Sequence, residues 1–165
     1  MARRILHVQD GKASVSEEAR FETERDLELA IASHPEALPC EDFGLGSLVA
    51  LGTQLDFGSG PIDLLAADAN GRLAIIEFKR GTENPDVRRV VAQLLDYGSS
   101  LWRLPYADLI AVCGRATSDS SGGLEGLMAD GCAALGIPFD VDAFRIGVEG
   151  TLDTGDFVFL CRSRP

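Results

Sequence analysis

Two apolar runs joined by Asn70-Gly71 constrain the fold of this chain more strongly than any other feature. The runs cover residues 61–67 and about 72–79, and a further apolar run at 48–55 precedes them. Asn-Gly between apolar runs is a strong hairpin signal, because both residues tolerate the positive φ that tight turns need. The sequence therefore predicts three strands, of which the second and third form an antiparallel hairpin.

Charged side chains interrupt this predicted hairpin at Asp63, Glu77 and Lys79. Removing an ionisable group from water beside a packed sheet is costly, so three of them together need a functional reason. Glu77 and Lys79 alternate onto one face of their strand, while Phe78 turns to the other face. These three charged residues are therefore the candidate catalytic residues.

The length of the hairpin loop decides whether Asp63 and Glu77 meet. With a two-residue loop, Asp63 falls opposite Phe78 and Glu77 points to the other face. With a three-residue loop, Asp63 falls opposite Glu77, and Gly71 suits the left-handed conformation that such a loop requires. A metal site at the two carboxylates thus predicts an odd-length loop or a bulge.

Helical periodicity appears on both sides of the hairpin. One helix is predicted from Phe21, with Thr23 as its cap, to the residue before Pro35. Glu24 lies on or beside the buried stripe of this helix, whereas its other acids, Glu28 among them, are assigned to the solvated face.

The strongest helical pattern extends from Val87 to Trp102, where apolar residues recur every three or four positions. Arg89, Gln93 and Tyr97 form a second stripe at four-residue steps beside the apolar one. Prolines stand near both ends of the pattern, as helix geometry favours.

The remaining elements follow from shorter patterns. Ile5, Leu6 and Val8 indicate a short strand, whereas 14–18 is assigned to a loop. Residues 107–113 are predicted to form a buried strand, parallel to a neighbour because a long helix connects the two. A helix is predicted over 124–135 and two strands over 144–148 and 157–161.

The chain length of 165 residues predicts a single domain, 1–165, with a sizeable core. Residues 21–113 form the predicted core, and 114–165 a C-terminal extension made of a helix and a strand hairpin. The predicted class is α/β, with a mixed central β-sheet flanked by helices.

The net charge of −11 counts against broad electrostatic attraction to nucleic acid, which normally shows as a basic face. A local patch can still serve, because salt confines surface charge effects to roughly 8–10 Å. Lys79, Arg80, Arg88 and Arg89 form such a patch and are candidates for phosphate contacts.

Four cysteines are scattered singly and are expected to be reduced and mostly buried. No apolar run approaches the roughly 20 residues that span a bilayer. The first residues lack the apolar region of a signal peptide, so we expect a cytoplasmic protein without membrane association.

Two carboxylates that converge at one point repel each other unless a proton or a cation intervenes. Mg²⁺ takes oxygen ligands, often carboxylates together with substrate phosphate. Glu77 could hold such a metal while Lys79, beside it, orients an attacking water or offsets charge developing on phosphorus. Cleavage of a phosphodiester is the reaction that this set predicts.

The order of these residues resembles the PD-(D/E)xK nuclease superfamily: a helix glutamate, a strand aspartate after Gly/Pro, then Glu-x-Lys on the adjacent strand. Here these are Glu24, Asp63 and 77–79, with Ile62 between the proline and the aspartate. Residues 93–97 resemble the QxxxY motif of the subgroup that includes nuclease domains of recombination helicases. The helix start at 24–28 resembles the catalytic domain of mismatch- and flap-cleaving endonucleases. The resemblance covers roughly residues 21–113.

The resemblance implies a restriction-endonuclease-like fold and a Mg²⁺ or Mn²⁺ ion held by Asp63, Glu77 and the Phe78 carbonyl. Glu24 would reach the metal directly or through water, and Lys79 would act on the water or the transition state. Gln93 and Tyr97 are implied to position the substrate backbone or the lysine.

The function predicted in this way is metal-dependent hydrolysis of nucleic acid, with DNA favoured over RNA and a role in DNA repair. A catalytically silent nuclease-fold module for protein interaction or DNA anchoring is the alternative, and the net charge of −11 favours it. A homodimer would suit an enzyme that cuts two strands, and a basic protein partner is an open alternative for substrate delivery.

Overall fold

The computed structural model of the protein describes residues 4–17, 21, 23–79, 87–116 and 122–163. Within these residues, no helix is long and apolar enough to cross a membrane. The elements in chain order are β1 (Arg4–Gln9), β2 (Lys12–Glu17), α1 (Glu24–Ser33), β3 (Leu48–Asp56), β4 (Pro61–Asp68), β5 (Leu73–Lys79), α2 (Val87–Leu101), α3 (Tyr106–Ala116), α4 (Gly123–Ala134), α5 (Val141–Thr154) and β6 (Val158–Ser163).

The central sheet has four strands in the order β3-β4-β5-β6. The β3–β4 and β4–β5 pairs are antiparallel, and β6 lies parallel to β5. Helices α2 to α5 connect β5 to β6, as a parallel pair requires a long crossover. The fold is therefore α/β with a mixed sheet flanked by helices, which confirms the predicted class.

Each face of the sheet buries its own core, because side chains alternate along the strands. On β5, Leu73 and Ile75 pack in a core with residues of α2 to α5. Ala74 and Ile76 pack in a second core with Leu27 of α1 and the segment that follows it. The sheet is thus enclosed by α2–α5 on one side and α1 on the other.

Helix α1 has the predicted cap and the predicted end, but it begins at Glu24 rather than at Phe21. Thr23 caps it, with its hydroxyl oxygen accepting from the Asp26 N–H at 3.0 Å, while the Asp26 carboxylate accepts from the Thr23 N–H at 2.9 Å. This reciprocal pair is a capping box. The helix ends at Ser33, before the His34-Pro35 pair.

The β4–β5 hairpin has a three-residue loop, 69–71, and Gly71 has a left-handed φ of 79°. Asp68 and Arg72 face each other across it, since the Asp68 N–H donates to the Arg72 carbonyl at 3.1 Å. The buried Asp68 carboxylate accepts from the backbone N–H groups of Gly46, Asn70 and Arg72 at 2.9–3.1 Å. The loop is therefore of the odd length that brings Asp63 opposite Glu77.

Helix α5 packs directly against this loop. A Cβ placed on Gly71 would lie 2.4 Å from the Phe144 carbonyl oxygen, and one on Gly147 would lie 1.8 Å from the Asn70 carbonyl oxygen. The Thr151 hydroxyl donates to the Gly71 carbonyl at 3.1 Å. The two glycines thus let the helix and the loop approach at backbone distance.

The predicted strand at 107–113 is wrong, because these residues belong to helix α3. Its buried residues Tyr106, Leu109 and Cys113 recur at three- and four-residue steps, which is a helical period. The short apolar run from Leu109 to Cys113 concealed that period. The parallel neighbour of β5 is β6 instead.

The predicted strand at 144–148 and the C-terminal strand hairpin are also wrong. Residues 144–148 lie inside α5, where Phe144, Val148 and Leu152 face the core at four-residue steps and Asp140 caps the helix. The helix predicted over 124–135 and the strand at 157–161 are present as α4 and β6.

The assignment of 14–18 to a loop is wrong for 14–17, which form part of β2, while residue 18 lies outside the described residues. The short strand predicted around Ile5 is present as β1, and β2 pairs antiparallel with it. Asp10 and Gly11 form the turn between them, with φ values of 50° and 73°. This Asp-Gly pair is a hairpin signal that sequence reasoning overlooked.

We predict that Gly71→Ala lowers the free energy of unfolding by roughly 3 kcal/mol, through the left-handed backbone and the contact with α5. Gly136→Ala is the matched control, because Gly136 has a φ of 68° and a Cβ placed on it would meet nothing within 4 Å. It should cost only about 1 kcal/mol. Urea denaturation measures both, and equal losses would contradict the role assigned to the α5 contact.

Candidate active site

The β4–β5 ladder stops just before the candidate site, at the pair Leu64–Ile76. Continuing its register places Asp63 opposite Glu77 and Ile62 opposite Phe78. Pairs in an antiparallel ladder alternate between hydrogen-bonded and non-bonded, so Ile62 would be the bonded partner of Phe78. Instead, the Phe78 N–H donates to Asp63 Oδ2 at 2.9 Å. At the end of the ladder, the Asp63 carboxylate therefore replaces the Ile62 carbonyl as the acceptor for the Phe78 N–H.

Glu77 is buried at the centre of the site, with 1% of its surface exposed. Its Oε1 forms an ion pair with the Lys79 ammonium, whereas its buried Oε2 has no hydrogen-bond partner among the described residues. Burial raises the pKa of Glu77, and the nearby Asp63 carboxylate raises this pKa further, while Lys79 lowers it. A buried acceptor without a partner costs about 1–3 kcal/mol, and more when charged.

The donor set at this position fits a hard divalent cation. Asp63 and Glu77 offer carboxylate oxygens, which Mg²⁺ and Mn²⁺ prefer, and Glu77 Oε2, which has no hydrogen-bond partner among the described residues, is an available acceptor. The Phe78 carbonyl lies on the same edge of β5 as its N–H, since bonded residues of a ladder direct both groups to one side. Among the described residues, this site included, no three His, Cys, Asp or Glu side chains are grouped as a metal site.

Helix α2 supports the lysine through a chain of hydrogen bonds. The Lys79 ammonium donates to Gln93 Oε1 at 3.3 Å, and Gln93 Nε2 donates to the Tyr97 hydroxyl at 2.6 Å. The Tyr97 hydroxyl donates in turn to the Pro61 carbonyl at 2.8 Å. Burial raises the pKa of Tyr97, so this hydroxyl keeps its proton as a donor. α2 thereby joins the end of β5 to the start of β4.

Helix α1 contributes an acid from the opposite face of the sheet. Glu28 is 4% exposed, and burial raises its pKa. Gln54 Nε2 donates to Glu28 Oε2 at 3.2 Å and to Asp63 Oδ1 at 3.0 Å, while Arg25 forms an ion pair with Glu28 Oε1. The assignment of Glu28 to the solvated face is therefore wrong.

Five of the predicted site residues converge in the structure: Asp63, Glu77, Lys79, Gln93 and Tyr97. Arg89 is exposed on α2, one turn before Gln93, and forms no ion pair within the described part of the chain. Arg80 lies outside the described residues, and so does the side chain of Glu24, the first residue of α1.

Glu28 and Gln54 are the residues that sequence reasoning missed, and both left a signal. Glu28 stands four positions after Glu24, so the two positions share a helix face, and both lie beside the buried stripe of α1. Gly52 in a strand interior indicates a bulge, and a bulge shifts by one the residue that faces Asp63.

Comparisons with models of protein families, with curated proteins and with solved structures find no match to this chain.

We predict that Glu77→Gln, which removes the ionisable group, gains stability relative to wild type as pH rises in the absence of metal. A carboxyl whose pKa is raised on folding stabilises the protein below its unfolded pKa, and that stability is lost as pH rises through the folded pKa. The free energy of unfolding of Glu77→Gln minus that of wild type should thus increase as pH rises from about 4.5. Urea titrations in chelator measure this difference, and a difference independent of pH would contradict the buried, proton-binding Glu77.

Proposed function

We propose that this protein is a metal-dependent nuclease with a restriction-endonuclease-like fold, which hydrolyses phosphodiester bonds in DNA. One observation carries the proposal: the buried Glu77 carboxylate has an orphaned oxygen beside Asp63 and an ion pair to Lys79. A merely structural ion pair has no need of a second carboxylate, and an orphaned buried acceptor lowers stability.

The order of elements supports the proposed fold. Helix α1, strands β3 to β5 and helix α2 follow one another in the chain, with an acid near the start of β4 and Glu-x-Lys at the end of β5. The resemblance to the PD-(D/E)xK superfamily requires these residues on adjacent strands, and β4 and β5 are adjacent. Gln93 and Tyr97 of the QxxxY-like motif contact the same site.

The proposed roles follow from the contacts. Asp63, Glu77 and the Phe78 carbonyl would hold Mg²⁺ or Mn²⁺, and Glu28 of α1 is joined to Asp63 through the Gln54 carboxamide. The cation, when bound, would polarise the phosphate and lower the pKa of a coordinated water.

Lys79 would supply a positive charge beside the reacting phosphate. Its ammonium is held from one side by Glu77 and from the other by Gln93 Oε1, so its position is set before substrate arrives. An ammonium placed in advance stabilises the charge that develops in the transition state without reorganisation. Tyr97 secures Gln93 and the start of β4 rather than the phosphate itself, because its hydroxyl is engaged by both.

The acidic composition limits how the substrate is held. With a net charge of −11, the protein would attract DNA only through local groups, and exposed Arg88 and Arg89 stand one turn or more before Gln93 on α2. DNA binding is therefore proposed to depend strongly on the bound cation. The rest of the protein surface is proposed to contribute little attraction for DNA.

We predict that wild type cleaves labelled single-stranded, duplex or flap DNA with Mg²⁺ or Mn²⁺, and that Lys79→Ala and Glu77→Ala each reduce the rate at least about a hundredfold. Lys12→Ala is the matched control, because Lys12 is the other lysine of the chain and is exposed on β2. It should cleave like wild type. Cleavage that survives both site substitutions would place the activity elsewhere or in a contaminant.

A second candidate function has its own observation. Val87, Val91 and Leu95 are 48–60% exposed along one side of α2, and with Phe159 and Cys161 of β6 they line an apolar groove. Exposed apolar patches of this kind mark protein-binding surfaces, so a silent module that binds a protein is the alternative.

Calorimetric titration with Mn²⁺ separates the two functions. The nuclease should bind Mn²⁺ at Asp63 and Glu77, and Asp63→Asn should weaken that binding at least about tenfold, because a carboxylate ligand is lost. Asp108→Asn, a substitution of an exposed acid on α3, is the matched control and should bind like wild type. No Mn²⁺ binding by wild type, together with no cleavage, would favour the interaction module.

A further inference from the structure

A bulge in β3 selects the residue that faces Asp63. Ala50 pairs with Ala66, but the next pair is Gly52 with Leu65, so one extra residue, 51, is inserted in β3. The shifted register continues to Leu55 and Ile62, which places Gln54 opposite Asp63. Without the bulge, residue 53 would stand there, because a one-residue shift changes every facing pair.

Gln54 also has a left-handed backbone, with a φ of 54°. Residues other than glycine rarely adopt this conformation within a strand, and strained conformations persist only where surrounding contacts hold them. The exposed side chain of Gln54 makes two contacts at this point: its Nε2 donates to Glu28 Oε2 at 3.2 Å and to Asp63 Oδ1 at 3.0 Å. A carboxamide has two N–H donors, so each carboxylate receives one.

Both oxygens of Asp63 are therefore engaged by neutral donors: Oδ2 by the Phe78 N–H and Oδ1 by Gln54. This fixes the plane of the carboxylate before any cation arrives. The same carboxamide brings Glu28, an acid on the other face of the sheet, to the aspartate without direct contact between two like charges. Loss of a group that orients a ligand in this way typically weakens metal binding about tenfold to a hundredfold.

We propose that Gln54 is a positioning residue, which orients Asp63 for the cation and couples Glu28 of α1 to the site. The inference deepens the proposed nuclease and rests on it for the identity of the ligand, Mg²⁺ or Mn²⁺. Gln54 touches neither the reacting phosphate nor the water in this assignment, and acts through Asp63.

The first test is Mn²⁺ affinity of the full chain by calorimetry. Gln54→Met keeps the length of the side chain and removes its donors, and Gln54→Gly removes the side chain and accommodates the left-handed backbone. Both should weaken Mn²⁺ binding about tenfold to a hundredfold. Arg103→Gly, at a second left-handed residue with a φ of 58°, is the matched control and should leave the affinity unchanged. Wild-type affinity in both Gln54 variants would overturn the proposal.

The second test needs no metal, and so separates this proposal from the nuclease. In metal-free protein, the side-chain amide signals of Gln54 in ¹H–¹⁵N spectra are assigned by their loss in Gln54→Met. They should shift in both Asp63→Asn and Glu28→Gln, and should not shift in Asp108→Asn. Signals unmoved by either site substitution would overturn the coupling. Signals that move, in a protein that binds no Mn²⁺, would uphold the coupling and refute the metal-dependent nuclease.

Discussion

The carboxylate of Asp68 sets the register on which the candidate site depends. It is buried, and it accepts from the backbone N–H groups of Asn70 in the hairpin loop, of Arg72 just after the loop, and of Gly46. A buried carboxylate is stable only when its oxygens are bonded in this way, so a slip of the loop by one residue would leave it unpaired. The slip would also move Asp63 by one position relative to Glu77, because the length of the loop sets the register of the hairpin. Helix α5, in backbone contact with the loop, adds a steric constraint to the same register.

The site lies where backbone hydrogen bonds between β4 and β5 end and a side chain takes over as acceptor. Beyond Leu64 and Ile76 no further pair joins β4 and β5, and the Asp63 carboxylate accepts the Phe78 N–H. Burial of the Glu77 carboxylate beside that of Asp63 is unfavourable in itself. Lys79 contacts only Oε1 of Glu77, and Oε2 has no hydrogen-bond partner among the described residues. Such a local cost is characteristic of functional sites, where chemistry rather than stability determines the side chains.

Two amide side chains organise the charged groups from opposite directions. Gln93, on α2, receives a hydrogen bond from Lys79 and passes one to Tyr97, while Gln54, on β3, donates to Asp63 and Glu28. Neutral amides can contact a cation and an anion equally well, so they order the charges without adding to them. The chain has a net charge of −11. The neutral Gln54 carboxamide lets the Asp63 and Glu28 carboxylates approach one another without adding another charge to the site.

The sequence by itself determined the parts of the protein that depend on local chemistry. The cap and end of α1, the β4–β5 hairpin and the periodicity of α2 follow from Thr23, Gly71 and the apolar spacing, and each is present. Asp63, Glu77, Lys79, Gln93 and Tyr97 could also be identified, because charged or polar groups on such elements stand out against an apolar pattern. Tertiary structure decided the rest. Short apolar runs such as 107–113 suit a strand or a buried helix equally, and only packing against the sheet made them helical. The loop length, the β3 bulge and the burial of Glu28 depend on contacts between segments distant in the chain. Gly71, Gly52 and the helix face of Glu28 are compatible with these features, but they do not select them.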